Sequence, residues 1–115
     1  MHAFSYAEVV EDSGATSRER DGKALDVAID LLNRAEAKGT GSVESAEALY
    51  FSTRLWSSFI EDLGQPENGL APDLRAALIS VGIGLLREAE RIRLGETASF
   101  AHMIDVSTII REGLR

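Results

Sequence analysis

The sequence contains no cysteine among its 115 residues. Disulfides, thiolate metal sites and cysteine nucleophiles are therefore excluded. Proline occurs only at Pro66 and Pro72, so the strongest helix breakers sit in one short stretch. Long hydrophobic runs are missing as well. The longest segment without a charge, residues 76–86, is eleven residues long, and a membrane-spanning helix needs about 20. No Lys or Arg precedes Arg18 and no apolar run opens the chain. A signal peptide is not expected, and the cytoplasm is the expected location. Histidine is scarce too, with only His2 and His102 available as bases near neutral pH.

Positive charge is the next shortage. Twelve basic residues face nineteen acidic ones, for a net charge of −7. Direct nucleic-acid binding rests on neutralising phosphates and is disfavoured in such a chain. Anionic lipid would repel it, so no membrane partner is expected. The imbalance is local. Residues 1–17 carry three acids and no base, and residues 39–70 carry five acids and one base, Arg54. The rest of the chain balances to zero. An acidic side of this kind suits solubility or a basic partner.

What is present is an ordinary globular composition, 44% apolar and 27% charged, in a length that suits a single domain spanning residues 1–115. Alternating apolar and polar residues bounded by hairpin signals are absent, and the apolar periods are near 3.6. The spacing predicts a short helix over residues 5–12, where Ser5 and Glu8 have capping-box spacing. A long helix follows over residues 17–38, with Leu25, Ala28, Ile29, Leu32 and Ala35 as its stripe and Gly39 and Gly41 as its stop. The second long helix covers residues 43–63. Leu49, Thr53, Trp56, Ile60 and Leu63 form one stripe, and Phe51, Leu55 and Phe59 form another. So broad a face should meet more than one neighbour. The third helix starts at Pro72, a favoured first helical position, and runs to about residue 94. Leu74, Leu78, Val81, Leu85 and Ile92 line it, and it is expected to be the most buried. Ser99 can cap a fourth helix running to about residue 111. Short loops favour antiparallel neighbours, so the fold class is all-α: an antiparallel bundle of about four long helices plus a short N-terminal segment.

Catalytic patterns are missing. There is no nucleophile elbow and no paired-histidine zinc motif. His102 and Asp105 are three apart, but no third ligand accompanies them, so no metal or other cofactor is expected. Gly82 and Gly84 inside the third helix read as a close helix contact, not as a dinucleotide loop. Arg87, Glu88, Glu90 and Arg91 read as a solvated charged face. The chain is not expected to be an enzyme.

Four of the seven aromatics fall within ten residues: Tyr50, Phe51, Trp56 and Phe59. Adjacent helical residues differ by about 100°, so Tyr50 and Phe51 cannot share one burial direction. Trp56 and Phe59 suit a core. Tyr50 and Phe51, rimmed by Glu44, Glu47, Glu61 and Asp62, suit a partner helix with apolar and basic faces. Phe4 and Tyr6 are a second candidate contact, able to lie in the same groove.

The segment Leu55-Trp56-Ser57-Ser58-Phe59-Ile60-Glu61-Asp62-Leu63 resembles the flagellar biosynthesis regulator FlaF family. Ser5-Tyr6-Ala7-Glu8-Val9, Ala24-Leu25-Asp26, Pro66-Glu67-Asn68, Leu74-Arg75-Ala76, Arg87-Glu88-Ala89 and Ile109-Ile110-Arg111-Glu112-Gly113-Leu114 extend the resemblance along the chain in order. It implies a cytoplasmic protein of flagellar assembly that is needed for flagellin synthesis and export. Flagellin is the implied partner, held as by a secretion chaperone. The alternative it implies is a non-enzymatic adaptor that acts with FlbT on flagellin translation. Phe4, Tyr6, Tyr50, Phe51, Trp56 and Phe59 are the candidate client contacts.

Overall fold

The computed structural model describes residues 17–114. The helix expected over residues 5–12 lies outside them, as do Phe4 and Tyr6. Four helices follow, α1 (Ser17–Lys38), α2 (Val43–Leu63), α3 (Pro72–Arg93) and α4 (Ala101–Gly113), with no strand among the described residues. The all-α bundle expected from the periodicity is the fold.

Local chemistry fixes the helix ends. Gly39 and Gly41 turn the chain between α1 and α2 at φ 89° and 87°, a region that a side chain would strain. Ser42 caps α2: its Oγ accepts from the Ser45 N–H at 3.0 Å and donates to the Gly39 carbonyl at 2.7 Å. Ser42→Ala should cost about 1 kcal/mol, read as a lower urea midpoint. At the far end of α2 the carbonyls are met from α3. Arg75 Nε donates to the Leu63 carbonyl at 2.8 Å, and its Nη2 donates to that of Gln65 at 2.9 Å. The start of α4 is held from α1. Glu36 Oε1 accepts from the Phe100 N–H at 2.8 Å, a carboxylate placed at the positive end of a helix. The expected cap, Ser99, accepts from the Ala101 N–H at 3.1 Å and donates to Glu36 Oε2 at 3.4 Å.

α1 packs along α2 on one side and along α4 on another, while α3 packs on the opposite flank of α2. α3 and α4 touch only over a short stretch. Arg111 of α4 pairs with Asp26 of α1, at 2.7 Å and 3.1 Å, which sets these two helices antiparallel. The core is built from Leu25, Ala28, Leu32 and Ala35 of α1, Ala48, Leu55 and Trp56 of α2, Leu85, Ala89 and Ile92 of α3, and Phe100 and Met103 at α4.

α3 is not the most buried helix. Its buried residues are Gly82, Leu85, Glu88, Ala89 and Ile92, with none in its first ten positions. Leu74 is 47% exposed, and Leu78 is only half-buried. The reason is geometric. α4 has 13 residues against the 22 of α3, and it follows α1, so it leaves the first half of α3 uncovered. The fully buried stripe belongs to α1 instead. Glu88 also departs from the solvated face expected for its neighbours. It is buried, and its Oε1 pairs with Nδ1 of His102 on α4, as a buried carboxylate requires.

The two glycines of α3 differ. A Cβ on Gly82 would meet Ile60 Cδ1 and Cγ1 at 3.0 Å and Trp56 Cε3 at 3.1 Å, whereas one on Gly84 would meet nothing within 4 Å. Gly84→Ala should therefore stabilise by up to about 1 kcal/mol through helix propensity. Gly82→Ala should give back that gain, because α2 and α3 would be pushed apart. Thermal melts of the two variants against the parent check the contrast.

Candidate functional site

Where α3 and α4 splay, the bundle is left open at one end. The opening is an apolar groove of 570 Å³, within the range of about 300–1,000 Å³ that ligand-sized clefts occupy. Its floor is Trp56, Phe59 and Leu63 of α2 with Leu25 of α1. Leu78 of α3 and Leu70 of the preceding loop form one wall, and Ile110 and Leu114 of the α4 end form the other. The charged side chains that line it are Asp21 and Asp62, both acidic. The floor is rigid. Trp56 is 2% exposed and packs edge-on against Phe59, with ring centroids 5.2 Å apart, and Gly82 lets α3 approach the indole.

The aromatic residues singled out from the sequence separate. Trp56 and Phe59 floor the groove. Phe51 is 6% exposed and lies in the core cluster, so its ring is spent on packing. Tyr50 is 55% exposed. It stands nine residues before Phe59, on the opposite side of an ideal helix. There it lines a second depression between α2 and α3 with Leu49, Arg54, Leu86, Glu90 and Arg93. Arg54 stacks over the Tyr50 ring at 5.5 Å. Arg93 Nε donates to Glu90 Oε1 at 3.0 Å, and this hydrogen bonding holds the Glu90 carboxyl below its usual range. The second depression measures about 600 Å³, and the Glu90 and Arg93 charges at its edge are met by each other. Leu70, Ile110 and Leu114 were not among the candidate contacts. Ile110 and Leu114 stand four apart, the spacing of one helical face, but their exposure depends on where α3 goes.

Among the described residues no group of three or more His, Asp or Glu side chains is placed to hold a metal ion. His102 is engaged by Glu88, and Asp105 is exposed. No described helix is long and apolar enough to cross a membrane.

Fold and groove together define a small all-α bundle with one open, apolar, acid-rimmed end. The chain belongs to the flagellar protein FlaF family, whose sequence model matches residues 2–114. The match covers every element described above. No curated protein and no solved structure matches the chain.

Proposed function

We propose that this chain is a flagellin-specific chaperone and assembly factor that holds an amphipathic helix of flagellin in its groove before export. The observation that carries the reading is the groove itself: a 570 Å³ apolar cleft left open at one end of the bundle, with Trp56 and Phe59 as its floor. Exposed apolar surface of this kind, rimmed by charge, marks interaction sites on soluble proteins. Membership of a flagellar protein family supplies the system. Flagellin's long terminal helices, buried in the filament, need their apolar faces covered beforehand. Helix-in-groove docking covers such a face. Asp21 and Asp62 on the rim, and a net charge of −7, favour a client helix with basic residues flanking its apolar stripe.

Trp56 is the chain's one tryptophan, so binding can be read directly. Titration with purified monomeric flagellin should give a saturable change in Trp56 emission. No change, together with binding to purified FlbT, would replace the chaperone reading with the adaptor one. The acidic chain alone should give no electrophoretic shift with flagellin messenger RNA, for want of a basic stripe with interleaved aromatics. A shift at sub-micromolar protein would contradict that expectation.

A further inference from the structure

On the side of α2 that carries Tyr50, away from Phe59, the exposed residues follow a pattern. Val43, Tyr50 and Ser57 stand seven apart, and Ala46 and Thr53 follow three residues after the first two, the heptad spacing of a helix–helix seam. Val43 is 72% exposed. The other four edge the second depression, whose far wall is Leu86, Glu90 and Arg93 of α3.

Two charges flank this stripe on one edge, Glu47 and Arg54, both exposed. They stand seven residues apart, about 10.5 Å along the helix axis. Ion pairs along one helix form at three and four spacing. Among the described residues neither Glu47 nor Arg54 has an opposite charge within pairing distance. Arg54 lies over the ring of Tyr50, which stands between the two.

We propose that this face is the interface of a weak, symmetric dimer in which α2 runs antiparallel to α2 of a second copy. Two-fold symmetry makes every contact reciprocal. An antiparallel copy centred beside Tyr50 puts Glu47 of each chain opposite Arg54 of the other, so one register meets both charges twice. Glu61, the next acid on that edge, then falls opposite the turn before α2 and meets no like charge.

The charge of the face favours a second copy. Glu47 balances Arg54, and Glu90 is paired with Arg93, so the face is neutral on a chain of net charge −7. The groove lined by Asp21 and Asp62 would repel its own copy. Repulsion between the remaining charges of two chains is screened over about 8 Å in physiological salt. Ala46, Thr53 and Ser57 are small enough for close backbone approach, while Val43 and Tyr50 supply apolar area. One shallow stripe and two exposed ion pairs make a small interface. A Kd of order 100 µM is expected, so the dimer is dissociated at the few micromolar of a thermal melt. The groove floored by Trp56 and Phe59 stays open in both copies, and the dimer stands whatever fills it.

Sedimentation equilibrium of the full chain from about 5 to about 500 µM tests this. The average mass should rise from 12.5 kDa toward twice that value. Glu47→Arg and Arg54→Glu should each weaken association at least about tenfold with the dilute melt nearly unchanged. Glu47→Arg replaces a negative charge by a positive one on an acidic chain, so net repulsion alone would give the opposite result, tighter association. The double variant Glu47→Arg, Arg54→Glu should recover the parent dimer, and so should an equal mixture of the two single variants. A mass that stays at 12.5 kDa at the highest concentration overturns the proposal. So does association that the single variants leave unchanged, which would place the contact on another face. A double variant that folds as the parent does but fails to recover the dimer also overturns it, because Glu47 and Arg54 would then not face each other.

Discussion

Phe100→Ala is expected to lower stability by about 3–5 kcal/mol, the usual effect of truncating a fully buried aromatic. Phe100 has no exposed surface, and it sits where α4 begins, with its N–H held by Glu36 of α1. Removing the ring opens a cavity between α1 and α4 and loosens the contact that positions α4. A domain of this size has about 5–15 kcal/mol in total, and each kcal/mol moves Tm by about 4–8 °C. A thermal melt should therefore shift down by at least about 12 °C. Leu78→Ala is the informative comparison. The periodicity of α3 alone predicts a full core penalty there, whereas the half-buried wall of an open groove should lose only about 1 kcal/mol. Equal losses at the two positions would mean that the first half of α3 is covered after all.

Leu78→Asp should weaken flagellin binding at least 100-fold, while the melting temperature moves by only a few degrees. In the free protein Leu78 borders open space, so a carboxylate there remains hydrated. Once a helix closes the groove, that carboxylate is buried beside Asp21 and Asp62 with no basic residue in the lining to offset it. Burying an unpaired charge costs several kcal/mol, more than the interface gains from one leucine. Tyr50→Ala, on the opposite side of α2, should leave both binding and stability nearly unchanged. Phe51→Ala should behave as a core truncation, with binding lost only in proportion to folding. Isothermal titration beside thermal melts separates the three outcomes.

Much of the fold was legible in the sequence because its determinants are local. Gly39, Gly41, Ser42 and Pro72 mark helix ends through conformations that depend on a few neighbouring residues, and the structure places α1 and α2 at the predicted bounds. What was not legible depends on contacts between distant segments. The Glu36 carboxylate that caps α4 lies 64 residues from Phe100. Glu88 looked like one charge in a solvated run until His102 came to lie against it. The broad apolar face of α2 was visible, but not its division: Phe51 in the core, Trp56 and Phe59 on the groove floor, Tyr50 in solvent. That division follows from α3 and α4 packing on different partners and diverging at one end. The candidate site was read as a patch centred on Tyr50 and Phe51. The groove at the open end lies instead around Trp56 and Phe59, with Ile110 and Leu114 from the end of α4, and Leu70 completes it from a loop that carries no signal of its own.

The most direct measurement is a map of amide chemical shifts in the isotope-labelled full chain as purified monomeric flagellin is added. Client binding in the groove predicts that the largest changes fall at Leu63, Leu70, Leu78 and Leu114, with Tyr50, Arg54 and Arg93 still. Changes centred on Tyr50, Arg54 and Arg93, or no change at saturating flagellin, would contradict it.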